Sequence, residues 1–436
     1  MKVSIHDEFD PETSAMLQAF NSRSHLWIDD RLKELGNDIE AVKEKLKTYY
    51  VGYGHKSIGD CGFTTIYIHG VSLLAAKAVE DFALYNGQES STRYIPFDKT
   101  GYFKPADSIV TKIYIKQWLD FYQQNKNNLI TYLATIHPKE EDASEAVWEK
   151  AIRAKAFDIL RGFLPCCVKT QLSWTVNLRQ AYDQLLRLRF HALEEVRILG
   201  NVIHQKLKEK YPNSFTHKED PKVLEFYRDF YYENSYNKHL DNLEHTTYYS
   251  NLNFNRLNKY EEATLKYRPK GCELPATLNA YGQLGVRGNL DFGSFRDLQR
   301  HRNGTCLMPL LKPQNGFHSW YLEQMPTAMS KEAESLIQQQ FNTFEDIKAM
   351  HWLDDYALQY YLPLGTRVFF EYLAGLPQMV YIAELRSQDT VHPILRRFAF
   401  DIIDILKRCC PSLKLHIRDG AEFSLHRGTQ DIIKTQ

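Results

Sequence analysis

Leu164-Pro165 returns as Leu362-Pro363, 198 residues later, and Pro212 returns as Pro411, 199 residues later. Each of these prolines closes a helical stretch, and a proline favours a helix end at the residue before it. The same order of elements therefore comes round twice at near-constant spacing. Helices before prolines are common, so the spacing alone could be coincidence. Residue chemistry repeats along with the helix ends, however, and that favours an internal duplication. Such a chain folds as two like halves.

Helical periodicity dominates both halves. In the first, the pattern predicts helices over Ile39–Tyr50, Gly70–Leu84, Val147–Phe163 and Gln180–Lys208. A strand is expected at Phe63–Ile68 and a polar loop at Tyr85–Arg93. In the second, it predicts short strands at Asn289–Phe292 and Thr366–Leu373, with helices at Ser294–Arg302, Pro377–Leu385 and Pro393–Arg408. Pro212–Leu274 is polar from Asn213 to Asp220, then rich in Tyr and Asn, and reads as a connector. The expected division is a first repeat over 1–215, a connector over 216–270 and a more diverged second repeat over 271–436. His217, His239 and His245 fit no metal-ligand spacing, and no metal is expected.

Lys+Arg and Asp+Glu both number 54 in 436 residues. Zero net charge argues against a broad footprint for nucleic acid, so a basic cluster needs a local cause such as one bound phosphate. The seven cysteines form no Cys-x-x-Cys pair and are odd in number, which reads as reduced thiols. The N-terminus has no apolar signal core and no run is long enough to span a bilayer. A cytoplasmic location and no membrane contact are expected.

Two motifs stand apart from this background. One is Gln88-Glu89-Ser90-Ser91-Thr92-Arg93-Tyr94, and the other is Arg300-His301-Arg302-Asn303-Gly304-Thr305. Alone, the first reads as a polar surface turn and the second as a basic helix end, where cations suit the macrodipole. Joined in reverse order, they resemble the signature of flavin-dependent thymidylate synthases, Arg-His-Arg followed by a Ser…Asn-Glu-x-Ser-x-Arg-Tyr loop. Further matches lie in the first half. Trp174-Thr175-Val176-Asn177-Leu178-Arg179 resembles the family's Trp-Thr-x-Asn-x-Arg, and Arg161-Gly162-Phe163-Leu164-Pro165 its Arg-x-x-Leu-Pro. Gly54-His55-Lys56-Ser57-Ile58-Gly59-Asp60 resembles Gly-His-x-Ser/Thr-Pro-x-Glu, with Ile58 for proline and a shorter acid. Arg187, His191 and Glu195 recur at every fourth position, which puts them near one face of a helix. They resemble Arg-x-x-x-His-x-x-x-Glu, with one residue fewer after Arg179 than is usual. An exposed ion-pair stripe would show the same spacing.

This resemblance implies an α+β fold: two tandem copies of a thymidylate-synthase-complementing-like domain, each a small antiparallel sheet with long helices. It implies FAD as cofactor, a pyrimidine nucleotide of the dUMP kind as substrate, and a methyltransferase reaction. One carbon passes from methylene-tetrahydrofolate through FAD to the base C5, with NADPH as reductant. By position, it places Glu89, Ser91, Arg93, Arg161, Arg187, Arg300 and Arg386 at the nucleotide, with Arg93 and Arg161 on its phosphate. It places Ser24, His55, Ser57, Asp60, Asn177, Arg179, His191, Arg300, His301, Arg302 and His392 at the flavin. A phosphate requires a guanidinium fork and several N–H or O–H donors, which these residue types supply.

The two halves depart from the family in complementary ways. Asp81-Phe82-Ala83 stands where the first half should have Arg-His-Arg. The second half keeps that triplet and Thr305, but Cys306–Leu310 has lost the Glu, Ser and Arg. Arg386 and His392 stand for Arg187 and His191, and Gln359 roughly for Arg161. The family assembles from four chains with sites shared between subunits, so a homodimer of this chain would imitate that tetramer. The alternative is a non-catalytic nucleotide-binding or scaffold protein on a degenerate synthase fold.

Overall fold

A computed structural model describes residues 1–6, 10–21, 56–90, 101–215, 219–238, 240, 245–418, 420 and 422–429. The helix expected over Ile39–Tyr50 lies outside them, as do Ser24, His55, Ser91, Arg93 and the side chain of Ser57. The chain forms two compact units. One comprises residues 1–91, 99–103 and 168–235, and the other residues 92–98, 104–167 and 236–436.

In the first unit, β1 (Lys2–His6), β2 (Phe63–Ser72) and β3 (Lys169–Asn177) form an antiparallel sheet in that order. The β2 register against β3 shifts between His69 and Val71, and Gly70 at the shift has φ +73°. Such a bulge needs a left-handed residue, which glycine supplies without strain. The strand therefore runs through Gly70, and the helix expected from there starts only at Leu73. Ser72 caps it by accepting the Ala75 N–H, and all of Leu73–Glu80 is buried. The segment Asn86–Ser90 lies along β3, where Thr175 N–H donates to Asn86 O and Ser90 N–H to Gln171 O. A Cβ on Gly87 would stand 1.9 Å from Ser173 O, so only glycine permits this approach.

The long helix expected over Gln180–Lys208 is two helices, Leu178–Arg189 and Glu194–Lys210. At the break, Leu193 N–H donates to His191 Nδ1 (3.0 Å) and Ala192 N–H to Ser235 Oγ (3.0 Å). These acceptors satisfy donors that a continuous helix would have bonded internally. Arg187, His191 and Glu195 consequently do not share one helix face.

In the second unit, β4 (Thr247–Ser250), β5 (Gln283–Asp291), β6 (Thr305–Leu307) and β7 (Arg367–Gly375) form an antiparallel sheet in the order β4-β5-β7-β6. β4 comes from the stretch read as a connector, and it flanks β5 as β1 flanks β2. The strand frames match: Phe63 pairs with Asn177 and Ser72 with Lys169, while Gln283 pairs with Gly375 and Asp291 with Arg367. Helices Phe292–Gln299, Leu376–Arg386 and Pro393–Cys409 follow in the order seen in the first half. The chain is thus an α+β tandem duplication.

The second unit also holds helices Ile109–Ile136 and Glu145–Leu160 of the first half. Its aromatic core runs from Phe121 to Phe163 (4.5 Å between ring centres), on to Phe317 (5.0 Å) and Tyr321 (5.4 Å). Here the two Leu-Pro segments pair with each other. Cys166 N–H donates to Leu362 O and Leu364 N–H to Leu164 O; Cys167 N–H donates to Tyr360 O and Gly365 N–H to Gly162 O. Shifting either bond of a pair by 198 residues yields its mate. That reciprocity is the mark of an isologous contact, here within one chain.

Candidate active site

The helix after β2 ends beside an arginine from the helix after β3, and the helix after β5 beside one from the helix after β7. In the first unit, Arg187 donates to the Asp81 carbonyl oxygen and to its carboxylate Oδ2 (2.5 Å). Burial alone would raise the Asp81 pKa, but Arg187 and Lys77 outweigh it and hold the carboxyl well below its usual range. Asp81 is thus an internal anion on the first-half arginine. Arg179 is likewise held by Asp60 (2.7 Å), and Asn177 Oδ1 accepts the Gln180 N–H as a helix cap. Glu195, buried, accepts both the N–H and the hydroxyl of Ser72 (2.9 and 2.5 Å). Glu89 bridges to Leu172 on β3.

In the second unit the corresponding arginine meets a histidine. Arg386 Nε donates to His301 Nε2 (2.7 Å), and Nη2 donates to Asp297 O (3.0 Å). The Tyr372 hydroxyl holds the His301 carbonyl oxygen (2.7 Å). Arg300, its side chain 43% exposed, stands 3.7 Å from Asp297. Arg161, a first-half residue, arrives at the same carboxylate (3.6 Å) and is almost wholly buried. Asp291 caps the Phe292–Gln299 helix and accepts the Tyr321 hydroxyl (2.8 Å). His392 is fully buried at the other end of this helix, against Ser294 Oγ (3.3 Å), and so is not gathered with Arg300–Arg302. Gln359 is buried and accepts the Leu311 N–H.

Beside the triplet lies a cleft of about 350 Å³, lined by Asn279, Asn303, Gln378, Tyr381, Arg268 and Glu384 among others. The Tyr381 and His301 rings are 5.8 Å apart. Amides and a phenol on the walls suit a polar ligand, and the Arg268 guanidinium of the lining is already paired with Glu384. These lining residues were missed in the sequence, where neither spacing nor charge marks them. Asp297 was within reach, three residues before Arg300 on a helix.

Burial, then the adjacent Arg386, depress the His301 pKa to about 3. Folded His301 therefore stays neutral while the unfolded imidazole titrates near 6.5. Below pH 6.5 the unfolded state binds the extra proton, so stability contributed here is full above that pH and falls toward pH 3. His301→Gln is expected to remove about 2 kcal/mol of the stability lost between pH 6.5 and 5. Urea unfolding at both pH values measures it; an unchanged loss would refute the assignment.

Two small antiparallel sheets in matched frames, each followed by the same helices, define a duplicated α+β fold. The profile of the thymidylate synthase complementing protein family matches residues 7–213. A UPF0159 protein of Chlamydia pneumoniae is 24% identical over 463 aligned positions, covering 93% of this chain and 86% of the relative. Among solved structures, the UMP/dUMP methylase PolB from Streptomyces cacaoi, bound with 5-Br dUMP, is 14% identical with a TM-score of 0.34, covering 49% of this chain and 93% of that one. Thymidylate Synthase X from Helicobacter pylori, with FAD and dUMP, is 18% identical with a TM-score of 0.28, covering 50% and 100%. Over its first half the chain is similar to the thymidylate synthase complementing family. No helix among the described residues is long and apolar enough to cross a membrane.

Proposed function

We propose that this chain is a flavin-dependent, thymidylate-synthase-like enzyme that binds FAD and a dUMP-like nucleotide and delivers one carbon to the base C5. Methylene-tetrahydrofolate would be the carbon donor and NADPH the reductant. The observation that carries this reading is the meeting of Arg161, from the first repeat, with Asp297, one turn before the Arg300-His301-Arg302 of the second. Parts that the family draws from different subunits come together in one unit. The residues fit the ligands: Arg300 and Arg302 offer charge to phosphates, and the cleft amides offer donors and acceptors to a ring edge. Neutral His301 orients Arg386. FAD, when bound, would supply the redox chemistry of the transfer, so no protein nucleophile is required.

The first repeat supports a second reading for its own half. Asp81 occupies Arg187, so that half would bind nucleotide without turnover or serve only as scaffold. Glu89 with Ser91 and Arg93 remains the proposed nucleotide loop there. The proposed assembly is a homodimer, and the proposed compartment the cytoplasm.

The purified full-length protein is expected to be yellow, with a flavin spectrum that NADPH bleaches. Arg300→Ala should weaken dUMP or FAD binding about tenfold, as loss of a charge-assisted hydrogen bond does. A colourless protein that takes up no added FAD would rule out the enzyme and leave the scaffold.

A further inference from the structure

A second cleft, of about 570 Å³, opens in the second unit and shares no lining residue with the cleft beside Arg300. Its walls come from β5 (Asn289), the start of β7 (Arg367), the Pro393–Cys409 helix (Asp401) and the loop carrying His318. His245 and Thr246, just before β4, complete it. The volume is that of a small-molecule site, and the lining is markedly polar.

Three features of this cleft point to a ligand. Among the described residues, no carboxylate lies within salt-bridge distance of the Arg367 guanidinium, which lies over the Phe369 ring (5.8 Å); its main chain bonds Gly316 O and Asn315 Nδ2. Of the Asn289 amide, Oδ1 is the atom shielded from solvent, so the group that faces the cleft is Nδ2, a donor. His318 Nδ1 accepts the Trp320 N–H (3.2 Å), so the neutral ring carries its proton on Nε2 and can donate from there. The acid of the cleft, Asp401, is already engaged by the Thr246 hydroxyl (2.5 Å). Burial raises the Asp401 pKa, which weakens its claim on a cation. Arg397 acts electrostatically on both Asp401 and His318, and Asp291 acts on His318 in the opposite sense.

We infer that this cleft binds a small phosphate monoester bearing hydroxyl groups, its phosphate on Arg367, His318 and the Asn289 amide and a hydroxyl donating to Asp401. The guanidinium fork and the His318 N–H match phosphate oxygens, which accept several bonds at once. Asp401 offers an acceptor but repels an anion, so it favours a ligand whose hydroxyl lies away from its phosphate, which a sugar phosphate has and inorganic phosphate lacks. Thr246 and Asp401 provide a further polar anchor for the body of such a molecule.

Isothermal titration calorimetry of the full-length protein with ribose 5-phosphate tests this. Saturable binding is expected, with ribose and inorganic phosphate each at least about tenfold weaker. Arg367→Gln and the isosteric Asn289→Asp, both checked for folding by circular dichroism, should each weaken ribose 5-phosphate about tenfold or more. Arg300→Ala should leave it unchanged, whether or not the protein holds flavin. Absence of saturable binding overturns the inference. So does unaltered binding to a folded Arg367→Gln protein, or loss of binding in Arg300→Ala, which would put the ligand in the other cleft.

Discussion

Arg427→Ala is expected to lower the free energy of unfolding by about 3–5 kcal/mol, the usual cost of stranding one half of a buried ion pair. Asp158, on the Glu145–Leu160 helix, has no solvent exposure, and Arg427 of the Leu425–Thr429 turn pairs with its carboxylate while only 8% exposed. Lys155 and Glu422 pair at the same contact, and His426 and Ser424 hold Asp389. Without Arg427, the Asp158 carboxylate stays desolvated and loses its closest cation. The double variant Asp158→Asn/Arg427→Ala should regain much of the loss, because removing both charges removes the penalty. Urea unfolding of the three proteins measures both effects. A single variant within about 1 kcal/mol of the parent would mean that the turn does not hold the pair.

Arg161→Met should cost a similar amount, about 3–5 kcal/mol, and for a related reason. Arg161 is 4% exposed and serves Asp297, Tyr321 and the neighbourhood of Asp291. Methionine fills much of the volume but leaves Asp291 and the Tyr321 hydroxyl facing each other without a cation. Arg161→Lys should recover part of it, since it restores a cation near Asp297 while Nε and Nη2 of Arg161 make no hydrogen bond that lysine would lose. Thermal unfolding of both variants measures the stability loss. Calorimetry with dUMP at a temperature where both remain folded then separates a structural arginine from one that also meets the nucleotide. A lysine variant as unstable as Arg161→Met would contradict the charge argument.

The duplication was legible because proline stops and motif residues survive at fixed spacing. The asymmetry of the basic triplet was legible too, since Asp81 against Arg300 is a change of sign. What the change of sign does was not. That Asp81 binds Arg187 depends on a fold that brings residues 106 positions apart together. The break at Phe190–Leu193 was hidden for the same reason: its acceptor Ser235 is remote, while the local apolar pattern continues straight through. β4 escaped notice because all four of its residues are exposed, leaving no alternation to read. The partners of Arg161 lie more than a hundred residues downstream, beyond any periodic signal. Asp297 is the exception, because its helical spacing to Arg300 was visible.

The paired Leu-Pro segments carry a consequence for how such a molecule can change. In a symmetric dimer of one gene product, a substitution at this crossing appears twice, facing itself. Fusion removes that constraint, and the present chain has Gly162 opposite the role of Tyr360, and Cys166 opposite that of Leu364. The junction is also no longer subject to dilution, because a tethered partner is always present at high local concentration. Each side of the seam is free to lose what the other retains.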